Sequence, residues 1–169
     1  MKFFHLFDSS IGVLGAVWSD KGLSELVLPQ KNLESTLKKR GYKKNSPPPG
    51  WVDDLEEEVQ KLVKTGEADF TEFRLDLSAV TEFQKKVYGQ TMKLGPGKVS
   101  TYSEIAKKIG RPKGPRAVGQ ALGKNPLALV IPCHRVVGKN GSMTGFSAEK
   151  GISLKKKLLK IEAISGRPE

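Results

Sequence analysis

A chain of 169 residues has room for one ordinary domain or for two small ones sharing a core, and its 37% hydrophobic share is that of a globular protein. Its 29 Lys and Arg against 18 Asp and Glu leave a formal charge of +11, which points to a polyanionic partner, nucleic acid before membrane. No apolar run nears the roughly 20 residues that cross a bilayer, the opening MKFFHLFDSS is too short and too soon acidic for a signal peptide, and one cysteine with two histidines is too small a set for a disulfide or a protein zinc site.

The expectation is therefore a cytoplasmic chain with no metal and no cofactor. In chain order, FFHLF, IGVLGAVW and LSELVLP are short apolar runs separated by the turn compositions DSS and SDKG, and they read as an antiparallel meander. NLESTLKKRG has helical composition with a glycine stop, and SPPPG is a stiff exposed connector. Val52, Leu55, Val59, Leu62 and Val63 then recur at i, i+3, i+7, i+10 and i+11, the stripe of an amphipathic helix. FTEFRLDL is expected as a further strand, and SAVT leads into a helix from about Thr81, with Phe83 and Val87 inward.

The texture changes near residue 80, after which short helices alternate with glycine and proline. LGPGKVS breaks one helix; TYSEIAKKIG starts the next, with Thr101 or Ser103 as cap and Gly110 as stop. After RPKGP, the stretch RAVGQALG makes a slim helix with small side chains at Ala117, Gly119 and Ala121. Residues 85 to 124 hold ten basic side chains (Lys85, Lys86, Lys93, Lys98, Lys107, Lys108, Arg111, Lys113, Arg116, Lys124) against one acid, Glu104. Two short helices in such a block read as a helix-turn-helix on a polyanion, although an ordinary packed helix pair has the same periodicity.

NPLALVIPCHRVVG carries the single cysteine, Cys133, followed directly by His134. A thiol attacks only as thiolate, and with an ordinary pKa of about 8.5 it is mostly protonated at neutral pH. An imidazole and basic surroundings would help it ionise. On an extended backbone, however, neighbouring side chains point to opposite faces, so Cys133 and His134 need a bend or a bridging water to communicate. Pro132 removes one backbone donor just before the nucleophile.

Pro132-Cys133-His134-Arg135-Val136, with TYSEIA, RAVG, NP, TGFS and LLKIE in the same order, resembles the O6-alkylguanine-DNA alkyltransferases, over about the last 90 residues of the chain. The resemblance implies a DNA repair protein that flips O6-alkylguanine from the duplex and moves the alkyl group irreversibly to Cys133. The thioether so formed has no easy exit, and each molecule acts once. The fold implied is α/β, of α+β type: an RNase H-like N-terminal domain with an antiparallel sheet, residues 1–80, and a winged-helix-like C-terminal domain, residues 81–169, containing the helix-turn-helix. A monomer acting on double-stranded DNA is expected, with activity on O4-methylthymine left open.

The resemblance also implies roles. Cys133, His134 with a bridging water, and Glu162 of LLKIE form the reacting set; Leu154, Leu158, Ile161 and Ile164 make a helical stripe with Glu162 at its edge, where a buried carboxylate needs a partner. Tyr102 aids flipping and gives a proton or hydrogen bond to guanine N3. Arg116 is the finger that fills the flipped nucleotide's place, its plane suited to stacking; Ala117, Gly119, Ala121 and Lys124 belong to the DNA face. Asn125 is a hinge, and Val136 and Ser147 offer backbone contacts to the flipped base. AEKGIS is about two residues longer than the family's usual link, which bears on the shape of the alkyl pocket. A helix-turn-helix binder without chemistry, or a damage sensor of the same fold, leaves the cysteine unexplained; a cysteine hydrolase leaves the basic block unexplained.

Overall fold

The computed structural model describes residues 1–142 and 151–165. The three apolar runs form the expected meander: β1 (Phe3–Ser9), β2 (Gly12–Ser19) and β3 (Gly22–Val27). β1 pairs antiparallel with β2 from Phe3↔Trp18 to Ser9↔Gly12, and β2 pairs antiparallel with β3. Helix α1 (Leu33–Lys39) follows, then a two-residue strand β4 (Lys43–Lys44) that pairs parallel with β1 and closes the order β3-β2-β1-β4.

Alternation along β2 decides which helix covers which face. Leu14, Ala16 and Trp18 point into the main core, while Val17 joins Phe4 in a smaller cluster with Leu33 and Leu37 of α1. Helix α2 (Gly50–Thr65) lays Val52, Leu55, Val59, Leu62 and Val63 against the main core, the stripe read from the sequence. Leu55 is wholly buried, and its truncation to alanine is expected to cost about 2–5 kcal/mol through lost burial and the void left behind.

FTEFRLDL does not form the expected strand. Asp69 and Asp76 capture the backbone N–H of Thr71 and Ser78 at 2.9 and 3.0 Å, folding both ends of the segment into turns. A single bridge, Leu23↔Leu75, remains, with Leu23 N–H donating to the Arg74 carbonyl at 2.8 Å. Gly22, at φ 132°, permits that approach, because a Cβ there would run into the Arg74 carbonyl.

The chain then enters helices α3 (Glu82–Thr91), α4 (Tyr102–Lys108) and α5 (Pro115–Gly123). Thr81 and Thr101 open the first two with full capping boxes, through Gln84 and Glu104. Two-residue strands β5 (Ser100–Thr101) and β6 (Val136–Val137) pair in parallel, and α6 (Gly151–Ser165) closes the described chain. One core runs from the inner face of the sheet through α2 to Val87, Ile105, Val118 and Leu122, and on to Leu154 and Leu158 of α6. Among the described residues no helix is long and apolar enough to cross a membrane, and no cluster of three His, Cys, Asp or Glu could hold a metal.

Candidate active site

Asn125 sits just past α5 and shapes the loop that carries the cysteine. Its Oδ1 accepts from Leu127 N–H and its Nδ2 donates to the Ile131 carbonyl, both at 2.9 Å, so one side chain clamps both ends of a tight loop. The loop is anchored to the sheet where Leu26 N–H donates to the Pro126 carbonyl at 2.8 Å. At its tip Leu129 adopts φ 70°, a left-handed conformation that costs a non-glycine residue about 1 kcal/mol or more.

The backbone at the nucleophile is bent, not extended. Pro132, at φ −78° and ψ 64°, centres a tight turn in which Cys133 N–H donates to the Ile131 carbonyl at 2.7 Å, and Cys133–Arg135 then form one 3-10 turn. Of the two routes that the sequence leaves open between Cys133 and His134, a bend or a bridging water, the backbone supplies the bend. The turn sends His134 and Arg135 together toward α6.

There Glu162 receives both. His134 Nε2 lies 2.7 Å from Glu162 Oε1, Arg135 Nε donates to Oε2 at 2.9 Å, and Arg135 Nη2 donates to Oε1 at 2.8 Å. Arg135 Nη1 also donates to the Leu94 carbonyl at 2.6 Å. His134 is 0% and Glu162 1% exposed. Burial pushes the Glu162 carboxyl up, but the His134 and Arg135 hydrogen bonds and their charges outweigh it and hold it below the usual carboxylate range. Burial holds the His134 imidazole below its ordinary value against the pull of Glu162. A neutral imidazole facing an ionised carboxylate must donate from Nε2. Its Nδ1 is left as a lone-pair acceptor, buried and without a hydrogen-bond partner among the described residues.

Burial raises the Cys133 thiol above its ordinary value, and the Asn125 side chain, the Lys155 charge and the Cys133 and His134 backbone N–H groups oppose that rise. Tyr88 donates to the Ala121 carbonyl at 2.7 Å, its phenol pushed up to about 12 by burial and by the Cys133 charge nearby.

The β5–β6 ladder, Ser100↔Val136 and Thr101↔Val137, sets Tyr102 beside the chain that leaves the nucleophile. Lys155 of α6 joins them: only 1% exposed, it donates to the Val136 carbonyl at 2.7 Å and to Tyr102 Oη at 3.4 Å. Val136 itself is buried.

Helix α5 begins with Pro115, which suits a first turn whose N–H groups have no partner inside the helix. Arg116, Ala117, Gln120 and Lys124 are exposed, while Val118, Ala121 and Leu122 turn inward. Ala121 is thus part of the core and not of the outer face on which the sequence reading set it. Gly119 lies against Tyr102, where an added Cβ would stand 3.8 Å from the ring. Tyr102, Arg116, Gly119 and Lys139 share a cleft of about 310 Å³.

The fold therefore joins Cys133 to Asn125, His134 to Glu162, and Tyr102 to Gly119 and Arg116. Ser147 lies outside the described residues, as does the first part of the lengthened link after it. Arg135, Lys155 and Tyr88 escaped the sequence reading. Arg135 adjoins the Cys-His pair, which was its signal, whereas Lys155 stands in a lysine run that reads as solvated.

Comparison with known proteins shows the same pattern. The family model described as 6-O-methylguanine DNA methyltransferase, DNA binding domain, matches residues 82–164. The methylated-DNA–protein-cysteine methyltransferase of Methanosarcina acetivorans is 35% identical over 164 residues, covering 95% of this chain and 97% of its own. The crystal structure of the Mycobacterium tuberculosis O6-methylguanine methyltransferase superimposes with a TM-score of 0.83 at 31% identity, covering 100% of this chain and 97% of its own. The Mycobacterium tuberculosis OGT in complex with DNA superimposes at 0.79 with 32% identity, covering 96% and 94%.

Proposed function

The chain belongs to the methylated-DNA–protein-cysteine methyltransferase family, and from that premise we propose how its own residues repair O6-alkylguanine in duplex DNA. Cys133 is the acceptor. The thiol gives its proton to the free Nδ1 of His134, through one water as the resemblance implies, and Glu162 steadies the imidazolium so formed while Arg135 keeps that carboxylate ionised. The sulfur–carbon bond forms as the carbon–O6 bond breaks. The electron pair leaves with guanine, which takes a proton from Tyr102, and Lys155 holds Tyr102 in position. The product is a thioether, and the chain holds no second thiol to accept the group, so each molecule acts once.

Arg116, at the start of α5, enters the base stack in place of the flipped nucleotide. Ala117 and Gly119 permit the close approach of α5 to the duplex, and Lys124 adds charge at its far end. Ala121 supports the helix from inside. Asn125 holds the nucleophile's loop, and Val136 offers a backbone contact to the base, as the resemblance implies for Ser147. We assign residues 1–80 to an RNase H-like supporting domain and residues 81–169 to a winged-helix-like domain that binds DNA and carries the reaction. One chain supplies every residue of this scheme, in keeping with a monomer.

The observation that carries the reading is the buried Arg135–Glu162–His134 chain adjoining Cys133, on a chain whose packed helices α4 and α5 expose Lys107, Lys108, Arg116 and Lys124. A binder without chemistry, or a damage sensor of the same fold, leaves Cys133 at the end of that chain unexplained. Incubation with duplex DNA containing O6-methylguanine, followed by intact and peptide mass spectrometry, is expected to show one added CH₂ on the peptide holding Cys133 and none in Cys133→Ala. No gain, or a gain on another peptide, overturns the proposal.

A further inference from the structure

The cleft of about 310 Å³ at the starts of α4 and α5 is lined by Tyr102, Arg116 and Lys139, and among the described residues no acid lines it. Arg116 and Lys139 are both exposed. Lys139 comes two residues after β6, and the Thr101↔Val137 pair sets the end of that strand against the residue before Tyr102. A 3-10 turn, Lys139–Gly141, fixes its backbone: Gly141 N–H donates to the Gly138 carbonyl at 3.0 Å, and Gly138 N–H donates to the Ser142 carbonyl at 2.7 Å. Tyr102 serves the base and Arg116 the stack, which leaves the cation of Lys139 without a task.

We propose that Lys139 binds a backbone phosphate of the flipped nucleotide and so holds the extruded state; the inference rests on the methyltransferase reading above. Flipping turns a nucleotide about its own backbone, so a phosphate that faced water turns with it toward the protein. With Arg116 in the vacated stack and the base on the Tyr102 side, the sugar and phosphate between them cross the mouth of the cleft, where Lys139 stands. A phosphate brought against protein walls loses part of its hydration, and an anion moved in this way needs a cation beside it. Lysine suits the task, because its ammonium meets phosphate as a point charge on a flexible stem and needs no fixed fork geometry. A stacked duplex keeps its phosphates outside, against the cations of α4 and α5. Lys139 therefore acts on the flipped state and not on general affinity.

The test removes each partner of the contact in turn. Duplexes carry O6-methylguanine with ordinary flanking phosphates, or with a neutral methylphosphonate on the 5′ or the 3′ side of the lesion, and single-turnover rates are read at saturating protein. On the ordinary duplex, Lys139→Gln is expected to react about tenfold more slowly and Lys139→Arg to keep most of the rate. Lys21→Gln removes the same charge from the exposed β2–β3 turn and is expected to leave the rate unchanged. Neutralising one of the two phosphates is expected to slow the unmodified chain by a similar factor and to slow Lys139→Gln no further, because both changes remove one interaction. Affinity of Lys139→Gln for undamaged duplex should stay within about twofold. The inference is overturned if Lys139→Gln reacts as fast as the unmodified chain, if neither neutral phosphate slows the unmodified chain, or if the two penalties multiply. A loss of affinity for undamaged duplex as large as the loss of rate overturns it too, since Lys139 would then be one more cation of the outer face. Failure of the unmodified protein on the ordinary duplex overturns the methyltransferase reading itself and is seen before any variant is made.

Discussion

His134 and Glu162, 28 residues apart, share a 2.7 Å hydrogen bond in the interior, and Arg135 grips the same carboxylate at 2.8 and 2.9 Å. The carboxylate thus orients the imidazole and neutralises the guanidinium at once. Glu162→Gln is expected to slow transfer about 10²-fold by loosening the base. It is also expected to destabilise the fold by about 3–5 kcal/mol, since a buried cation loses its partner. Single-turnover rates and urea unfolding read the two effects separately. Glu162→Gln with Arg135→Met should recover part of the stability and none of the rate; recovery of both would mean that Glu162 serves only the ion pair.

The same pair fixes the acid side of the stability profile. Glu162 and His134 both titrate below their ordinary values in the folded protein, so around those ranges the unfolded chain binds more protons than the native one. Stability from these groups is present above their ordinary values and is lost as pH falls through the folded ones. In Glu162→Gln the loss in the carboxylate range is expected to shrink, measured as unfolding free energy against pH. An unchanged slope there would place the acid sensitivity elsewhere.

Much of this was legible in the sequence, for physical reasons that differ by element. The meander and α2 each bury one face against a core, so their apolar periods are complete. β4, β5 and β6 have two residues each and can show no period, yet the β5–β6 pairing is what sets the start of α4, with Tyr102, beside the chain that leaves Cys133. FTEFRLDL has the composition of a strand, but Asp69 and Asp76 divert its ends by bonding to the backbone. Lys155 and Arg135 were hidden because burial of a cation depends on what another part of the chain brings to it. Here those partners are the Val136 carbonyl and the Glu162 carboxylate. The inward turn of Ala121 follows from α5 resting on α3, where Tyr88 reaches its carbonyl, and small side chains alone do not tell an inner face from an outer one.

DNA affinity should survive loss of the nucleophile. Cys133→Ala is expected to abolish transfer and leave binding within about twofold, because phosphate contacts come from exposed cations and not from the buried thiol. If about six phosphates are neutralised, affinity falls roughly 10³-fold between about 50 and 200 mM salt. Fluorescence anisotropy with a labelled duplex at several salt concentrations checks this. Binding indifferent to salt would count against the α4–α5 face.

Arg116 distinguishes flipping from simple binding. Extruding a nucleotide costs a few kcal/mol of stacking and pairing, part of which an inserted side chain offsets. Arg116→Ala should therefore slow repair of a duplex much more than reaction with free O6-benzylguanine, which needs no flipping. Arg116→Lys should fall between, keeping the charge but losing the stacking plane. Equal losses on duplex and free base would assign Arg116 to the fold of α5.

The alkaline side of the profile should report the reaction itself. Burial raises the Cys133 thiol in the folded protein, so between its ordinary and its folded value the unfolded chain has lost a proton that the native one keeps. Stability from this group is whole below the ordinary thiol value and is lost as pH rises through the folded one, at up to about 1.4 kcal/mol per pH unit. A thioether carries no such proton. The methylated protein therefore lacks this slope, and the difference in unfolding free energy between unmodified and methylated protein should shift toward the methylated form from about pH 8 to about pH 10. Parallel urea titrations of the two forms across that range provide the measurement. A difference that stays constant with pH would show that Cys133 titrates alike in the folded and unfolded chains, and that its environment does not hold the proton as the buried site requires.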